Sequence, residues 1–136
     1  MATHEFPKAR PLALIVEDDP IVRELAVALL EESDLHVVEC EDAEQALATL
    51  CKLGDDIALI FADVRLPGLL DGVDLALRVK VLWPRITMLV TTGYPGDRVQ
   101  ALPDTVVYMP KPWLPLDVLR QAEQASDRAR EWRAVA

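Results

Sequence analysis

Leu12-Ala13-Leu14-Ile15-Val16-Glu17-Asp18-Asp19-Pro20 is the stretch that decides the fold. Five consecutive apolar residues suit a strand covered on both faces, as the strands of a parallel sheet are. Two carboxylates stand where the strand stops. Asp19 and Pro20 then read as an N-cap and a first helical residue, and Ile21, Leu25, Ala28 and Leu29 follow at helical spacing.

The same unit of strand, polar turn and helix recurs outward from there. Residues 35–40 read as a second strand. Asp42 with Gln45 three residues later resembles a capping box, opening a helix through Ala43, Ala46, Leu47 and Leu50 that Gly54 stops. Residues 57–62 form the third and most apolar run, ending at Asp63. Asp71-Gly72 introduces a third helix with Val73, Leu75, Ala76, Val79 and Leu82 on its apolar face, and Pro84 ends it. Residues 86–91 make a fourth strand ending at Thr92-Gly93, followed by a short helix over 96–102. Residues 105–109 make a fifth strand just before Lys111-Pro112. A last helix runs from Pro115 to about Arg133, with Leu116, Leu119, Ala122 and Ala125 on one face. Five β-α units with crossovers of this length predict an α/β fold: a flavodoxin-like (βα)5 doubly wound, five-stranded parallel sheet in the order 2-1-3-4-5. One domain is expected over 12–133, with short tails at 1–11 and 134–136.

Bulk properties narrow the function. The chain has 136 residues and a net charge of −9, which argues against nucleic acid, since such binders neutralise phosphates with Lys and Arg. No apolar stretch approaches the ~20 residues that span a bilayer. Residues 1–10 lack the apolar core of a signal peptide, so a cytoplasmic protein is the default expectation. Cys40 and Cys51 are too few for a disulfide scaffold, and both are expected as buried thiols.

In the expected strand order the ends of strands 1 and 3 flank the crevice where open α/β sheets bind ligands. Glu17, Asp18 and Asp63 therefore meet there. Three like charges repel unless a divalent cation sits among them, and a few hard oxygen ligands suit Mg²⁺. Lys111, at the end of strand 5, can reach across to Asp63. Thr92 lies between them, with Gly93 allowing close approach. A carboxylate, a cation, a hydroxyl and a metal make a complete site for a phosphoryl group. Asp63 is then the nucleophile, forming an acyl phosphate.

These residues resemble a response-regulator receiver domain of two-component signalling. The resemblance rests on Ile15-Val16-Glu17-Asp18-Asp19, on Asp63-Val64-Arg65-Leu66-Pro67 with Asp71-Gly72, on Thr91-Thr92-Gly93-Tyr94, and on Met109-Pro110-Lys111-Pro112. It implies that Asp63 is the phosphoacceptor and that Asp18, Asp63 and the backbone carbonyl of Arg65 ligate Mg²⁺, with Glu17 acting through water. It implies that Thr92 and Tyr108 are the switch pair, and that Lys111, followed by a cis bond to Pro112, neutralises charge. Implied partners are a sensor histidine kinase or histidine phosphotransfer protein and a downstream protein target. A homodimer through the fourth helix, fifth strand and fifth helix is a further expectation. No output domain is expected in this chain. His4 and His36 are not in a phosphotransfer-helix setting.

Departures from the family pattern stand out. Glu17 replaces the usual Asp, and the loop 67–72 is one residue longer than the common spacing. Arg65 and Tyr94 are bulky where an attacking water would approach, which predicts slow self-dephosphorylation. Trp113-Leu114 is an unusual start for the last helix; Trp113 is either packed or an exposed docking anchor. Two other classes compete with this reading. A phosphatase of the haloacid-dehalogenase type needs a second Asp two residues after the nucleophile, where this chain has Arg65. An inert interaction module would not need Asp18, Asp63, Thr92 and Lys111 together. The expected protein is therefore not an enzyme beyond self-catalysed aspartyl phosphorylation and dephosphorylation.

Overall fold

The computed structural model describes residues 10–94 and 96–135. The expectations for the N-terminal stretch and His4 therefore lie outside, or largely outside, the described residues. Strands β1 (Leu12–Val16), β2 (His36–Cys40), β3 (Ile57–Asp63), β4 (Thr87–Thr92) and β5 (Val107–Pro110) form one sheet in the order β2-β1-β3-β4-β5. Every neighbouring pair is parallel, as expected. Helices α1 (Pro20–Leu30), α2 (Ala43–Leu53), α3 (Gly72–Leu82) and α4 (Pro115–Ala134) accompany them, with 3-10 turns at Gly54–Asp56 and Val99–Ala101.

Strand alternation divides the apolar residues between two layers. Leu14, Val16, Ile60, Ala62, Met88 and Val90 face one side, with Ala43, Ala46 and Leu50 of α2 and Val73, Ala76 and Val79 of α3. Ala13, Ile15, Leu59, Phe61 and Leu89 face the other, with Ala26 and Leu30 of α1 and Val118, Ala122, Ala125 and Ala129 of α4. A Leu or Ile fully buried in such a layer contributes about 1.5–3 kcal/mol.

The helix starts follow local chemistry. Asp19 Oδ1 accepts hydrogen bonds from the N–H groups of Ile21 (2.9 Å) and Val22 (3.4 Å), with Pro20 at the first helical position. Asp42 Oδ1 accepts from Gln45 N–H at 2.7 Å, but the Gln45 side chain accepts from Glu41 N–H rather than closing on Asp42. The reciprocal capping box forms instead at α3, between Asp71 and Asp74. Gly54 follows α2 with helical φ, so no left-handed turn requires it; a Cβ there would collide with the Trp83 indole.

Several expectations are corrected. The expected helix over 96–102 is one 3-10 turn, Val99–Ala101. Gly96 at φ +89° and Pro103 bound it, and Asp97 and Arg98 are drawn into pairs with other elements. Among the described residues, a dimer face built on a fourth-crossover helix therefore lacks that helix; β5 and α4 remain. On α4 the buried set is Val118, Ala122, Ala125, Ser126 and Ala129, while Leu116 is exposed. Val118, Ala122, Ala125 and Ala129 recur at spacings of four, three and four, and Leu116, two residues before Val118, falls on the other side of the helix. On α1, Ala26 and Leu30 are buried, whereas Ile21, Leu25 and Ala28 are exposed. Leu82, the last residue of α3, is exposed, and so is Cys51; Cys40 is buried, and burial raises its thiol pKa.

Candidate functional site: an acidic crevice at the carboxyl edge of the sheet

The ends of β1 and β3 bring Glu17, Asp18 and Asp63 together, with one carboxylate oxygen from each within 4.8 Å of the others. Glu17 and Asp63 are buried, and Asp18 is exposed at the mouth. All donors are hard carboxylate oxygens in a partly open site, a set that fits Mg²⁺. Of the groups expected to hold it, the carboxylates of Glu17, Asp18 and Asp63 lie together.

Lys111 enters from the end of β5. Its Nζ donates to Asp63 Oδ2 at 3.0 Å and to Glu17 Oε1 at 3.2 Å. Its backbone is tied to β4, with Lys111 N–H donating to the Thr92 carbonyl at 3.0 Å, and its bond to Pro112 is cis as expected. Burial works against the ammonium, but hydrogen bonds and charge from Asp63 and Glu17 outweigh it and raise the Lys111 pKa. Glu17 is held above the ordinary carboxylate range, first by burial and then by the charge of Asp63; hydrogen bonding from Asp19 N–H (3.1 Å) and the Lys111 cation oppose this. Both Glu17 oxygens are thus engaged.

Thr92 lies at the same edge, but its hydroxyl donates away from the acids, to Asp97 Oδ2 at 2.9 Å. Arg65 is exposed and its guanidinium lies 3.6 Å from the centroid of the Tyr94 ring. Arg65 N–H donates to Asp63 Oδ1 at 3.4 Å. Tyr108 pairs in register with Val90 and is exposed on β5. Gly93 is not needed for the approach of Lys111: a Cβ there would sit 3.6 Å from Lys111 Cβ, an ordinary contact. Trp113 is packed, edge-on to Phe61 with ring centroids 5.4 Å apart. It also lines a cavity of about 10 Å³ with Glu17, Asp63 and Thr91. The buried Thr91 hydroxyl has no hydrogen-bond partner among the described residues.

The sequence reading missed two acidic residues that tie down the rim. Asp97 pairs with Arg65, and Asp74 with Arg98, which also holds Asp71 at 2.8 Å. Asp97 is held below the usual carboxylate range chiefly by its hydrogen bonds from Arg65, and Asp74 by Asp71 N–H and then Arg98. Asp74 stands three residues after Asp71, the spacing of a capping box, whereas no motif marks Asp97, which falls in the crossover read as a short helix. Glu44 of α2 similarly accepts from Leu69 N–H at 3.1 Å and braces the longer loop.

A family model described as "Response regulator receiver domain" matches residues 13–122. The transcriptional regulatory protein AruR of Pseudomonas aeruginosa is 34% identical over 132 residues, covering 93% of this chain and 53% of that protein. The sensor protein TorS of Escherichia coli is 27% identical over 111 residues, 79% of this chain and 12% of TorS. The chain thus spans about half or less of the length of these relatives. Among solved structures, the signal receiver domain of an HD domain-containing protein from Pseudomonas fluorescens superposes with a TM-score of 0.78 at 23% identity, covering 97% of this chain and 98% of that one. A five-stranded parallel sheet with an acid crevice crossed by a lysine, and a matching profile over most of its length, have one conclusion: the chain belongs to the response-regulator receiver domain family.

Proposed function

We propose that this domain accepts a phosphoryl group on Asp63 from a phosphohistidine of a sensor kinase or phosphotransfer protein, and that the modified domain changes its contacts with a downstream protein. The observation that carries this reading is the Lys111 bridge: one ammonium within 3.2 Å of both Asp63 and Glu17, with Asp18 beside them. A nucleophilic carboxylate, a neutralising cation and a metal-ready acid pair suit phosphoryl transfer, where positioning and charge stabilisation do most of the work.

In the transfer, an Asp63 carboxylate oxygen attacks phosphorus, a P–O bond forms and the P–N bond breaks. The departing imidazole keeps the bonding pair and takes up one proton. Lys111 neutralises charge on the phosphoryl oxygens, and the Thr92 hydroxyl donates to one of them. Glu17, Asp18, Asp63 and the Arg65 carbonyl would hold Mg²⁺, which when bound screens phosphoryl charge. Tyr108 then turns inward as the second member of the switch, altering the surface of β5 and α4. The whole operates in the cytoplasm.

Incubation with a small phosphodonor and Mg²⁺ tests the reading. Stoichiometric labelling is expected, and Asp63→Asn abolishes it. Sustained phosphate release would point to a phosphatase, and absence of labelling to an inert module.

A further inference from the structure

Thr92 has one hydroxyl proton, and it is committed to Asp97 Oδ2 at 2.9 Å. The same carboxylate takes two hydrogen bonds from Arg65, 2.9 Å from Nε and 3.2 Å from Nη2. Arg65 in turn stacks on Tyr94, 3.6 Å from the ring centroid, and Tyr94 N–H donates back to Thr92 Oγ1 at 3.1 Å. Four side chains or amides therefore close a ring outside the acid crevice. Arg65 lies two residues beyond Asp63, and its pKa is raised mainly by Asp97 and in smaller part by Asp63.

We propose that Asp97 is a positioning residue of the resting state, withholding the Thr92 proton and the Arg65 guanidinium from Asp63 until a phosphoryl group draws both away. The inference rests on Asp63 being the phosphoacceptor. Its logic is competition. Asp97 carries one negative charge, whereas a phosphoryl group carries about −1.5 to −2 and three strong acceptor oxygens. Both donors gain by exchanging Asp97 for the phosphoryl group. Asp97 then loses three hydrogen bonds and turns to water, loosening a crossover that contains a single 3-10 turn. Arg98, still paired with Asp71 and Asp74, remains as the pivot. A plain structural staple would hold the same loop but would not compete with phosphoryl binding.

The test uses the full chain with Mg²⁺ and beryllofluoride, which mimics a phosphoryl group on a carboxylate. Asp97→Ala is expected to tighten beryllofluoride binding by roughly three- to tenfold, the range of one hydrogen bond to a charged group moderated by solvent. In a Thr92→Val background the same substitution is expected to lose the Thr92 share of its effect and keep only that of Arg65, because coupled residues are not additive. Asp97→Asn, which keeps the shape and serves if the alanine variant fails to fold, should give an intermediate gain. Wild-type binding with no tightening in either variant would overturn the proposal, and so would equal tightening with and without Thr92. Absence of both beryllofluoride binding and phosphoryl labelling in the wild type would overturn the phosphoacceptor reading itself, and the proposal with it.

Discussion

Gly72 packs directly on the backbone carbonyl of Asp63: a Cβ at position 72 would collide with that oxygen and crowd Val64 Cα. The contact is reinforced by Gly72 N–H donating to the Val64 carbonyl at 2.8 Å. The first residue of α3 thus fixes the backbone of the residue that ends β3. Gly72→Ala must displace backbone rather than a flexible side chain. A loss of about 1–3 kcal/mol in urea unfolding is expected, the range for overpacking, together with slower labelling of Asp63. Wild-type stability in this variant would show that α3 shifts freely and positions nothing.

Lys111 stands between two buried carboxylates. Lys111→Met leaves them facing each other without a cation. In the absence of Mg²⁺ the variant should be less stable by about 1–3 kcal/mol, a buried-pair cost reduced because the site is partly open. Adding Mg²⁺ should recover part of that loss, since a ligand of the folded state stabilises it. Equal or greater stability than wild type in chelator would sink this account of the bridge.

The raised Glu17 pKa gives a pH dependence with a definite sign. A group whose folded pKa lies above its unfolded value of 4.5 contributes stability that is fully present below that value and is lost as pH rises through the folded one. Metal-free protein should therefore gain stability as pH falls from 7 towards 4.5. The depressed Asp74 and Asp97 act in the opposite sense, their contribution being lost only once pH falls below 3.8. Denaturant midpoints between pH 7 and 4.5 check this. Glu17→Gln should flatten the slope; an unchanged slope would assign it to another group.

Arg65 stacks on Tyr94 at 3.6 Å from the ring centroid, two residues beyond Asp63, and these two bulky side chains are expected to hinder the approach of water to an acyl phosphate on Asp63. Replacing both, Arg65→Asn with Tyr94→Ala, should shorten the acyl-phosphate half-life severalfold. This readout is a decay rate, separate from the affinity that reports on Asp97. A half-life unchanged from wild type would mean that the stack shields nothing.

The sheet and its acid crevice were legible because two independent signals agreed. Continuous apolar runs such as Leu12–Val16 demand burial on both faces, and each run ends on a residue that apolar surroundings would not tolerate without purpose. Parallel pairing then followed from the crossover lengths, and the strand order from the flavodoxin-like doubly wound architecture they suggest. Helix facing was less legible. On α1 nearly every position is apolar, so periodicity does not separate Ile21 and Leu25, which are exposed, from Ala26 and Leu30, which are buried. On α4 the buried alanines carry a weaker hydrophobic signal than Leu116, which is exposed. Asp97 was not legible at all. Its partners lie five and thirty-two residues away, and only the folded chain brings them together.

The crossover between β4 and β5 is fastened to the rim of the site by Arg65–Asp97 and by Arg98 with Asp71 and Asp74, and both arginines are more than half exposed. Attraction between exposed charges fades with salt, as the screening length falls from about 10 Å at 0.1 M to about 3 Å at 1 M. The Lys111 bridge, more deeply set, is shielded from that change. Raising salt should then loosen the resting arrangement while leaving the acid crevice assembled, and beryllofluoride titrations in low and high potassium chloride would show the difference. Ionic strength would then tune the resting arrangement separately from the phosphoryl transfer proposed for Asp63.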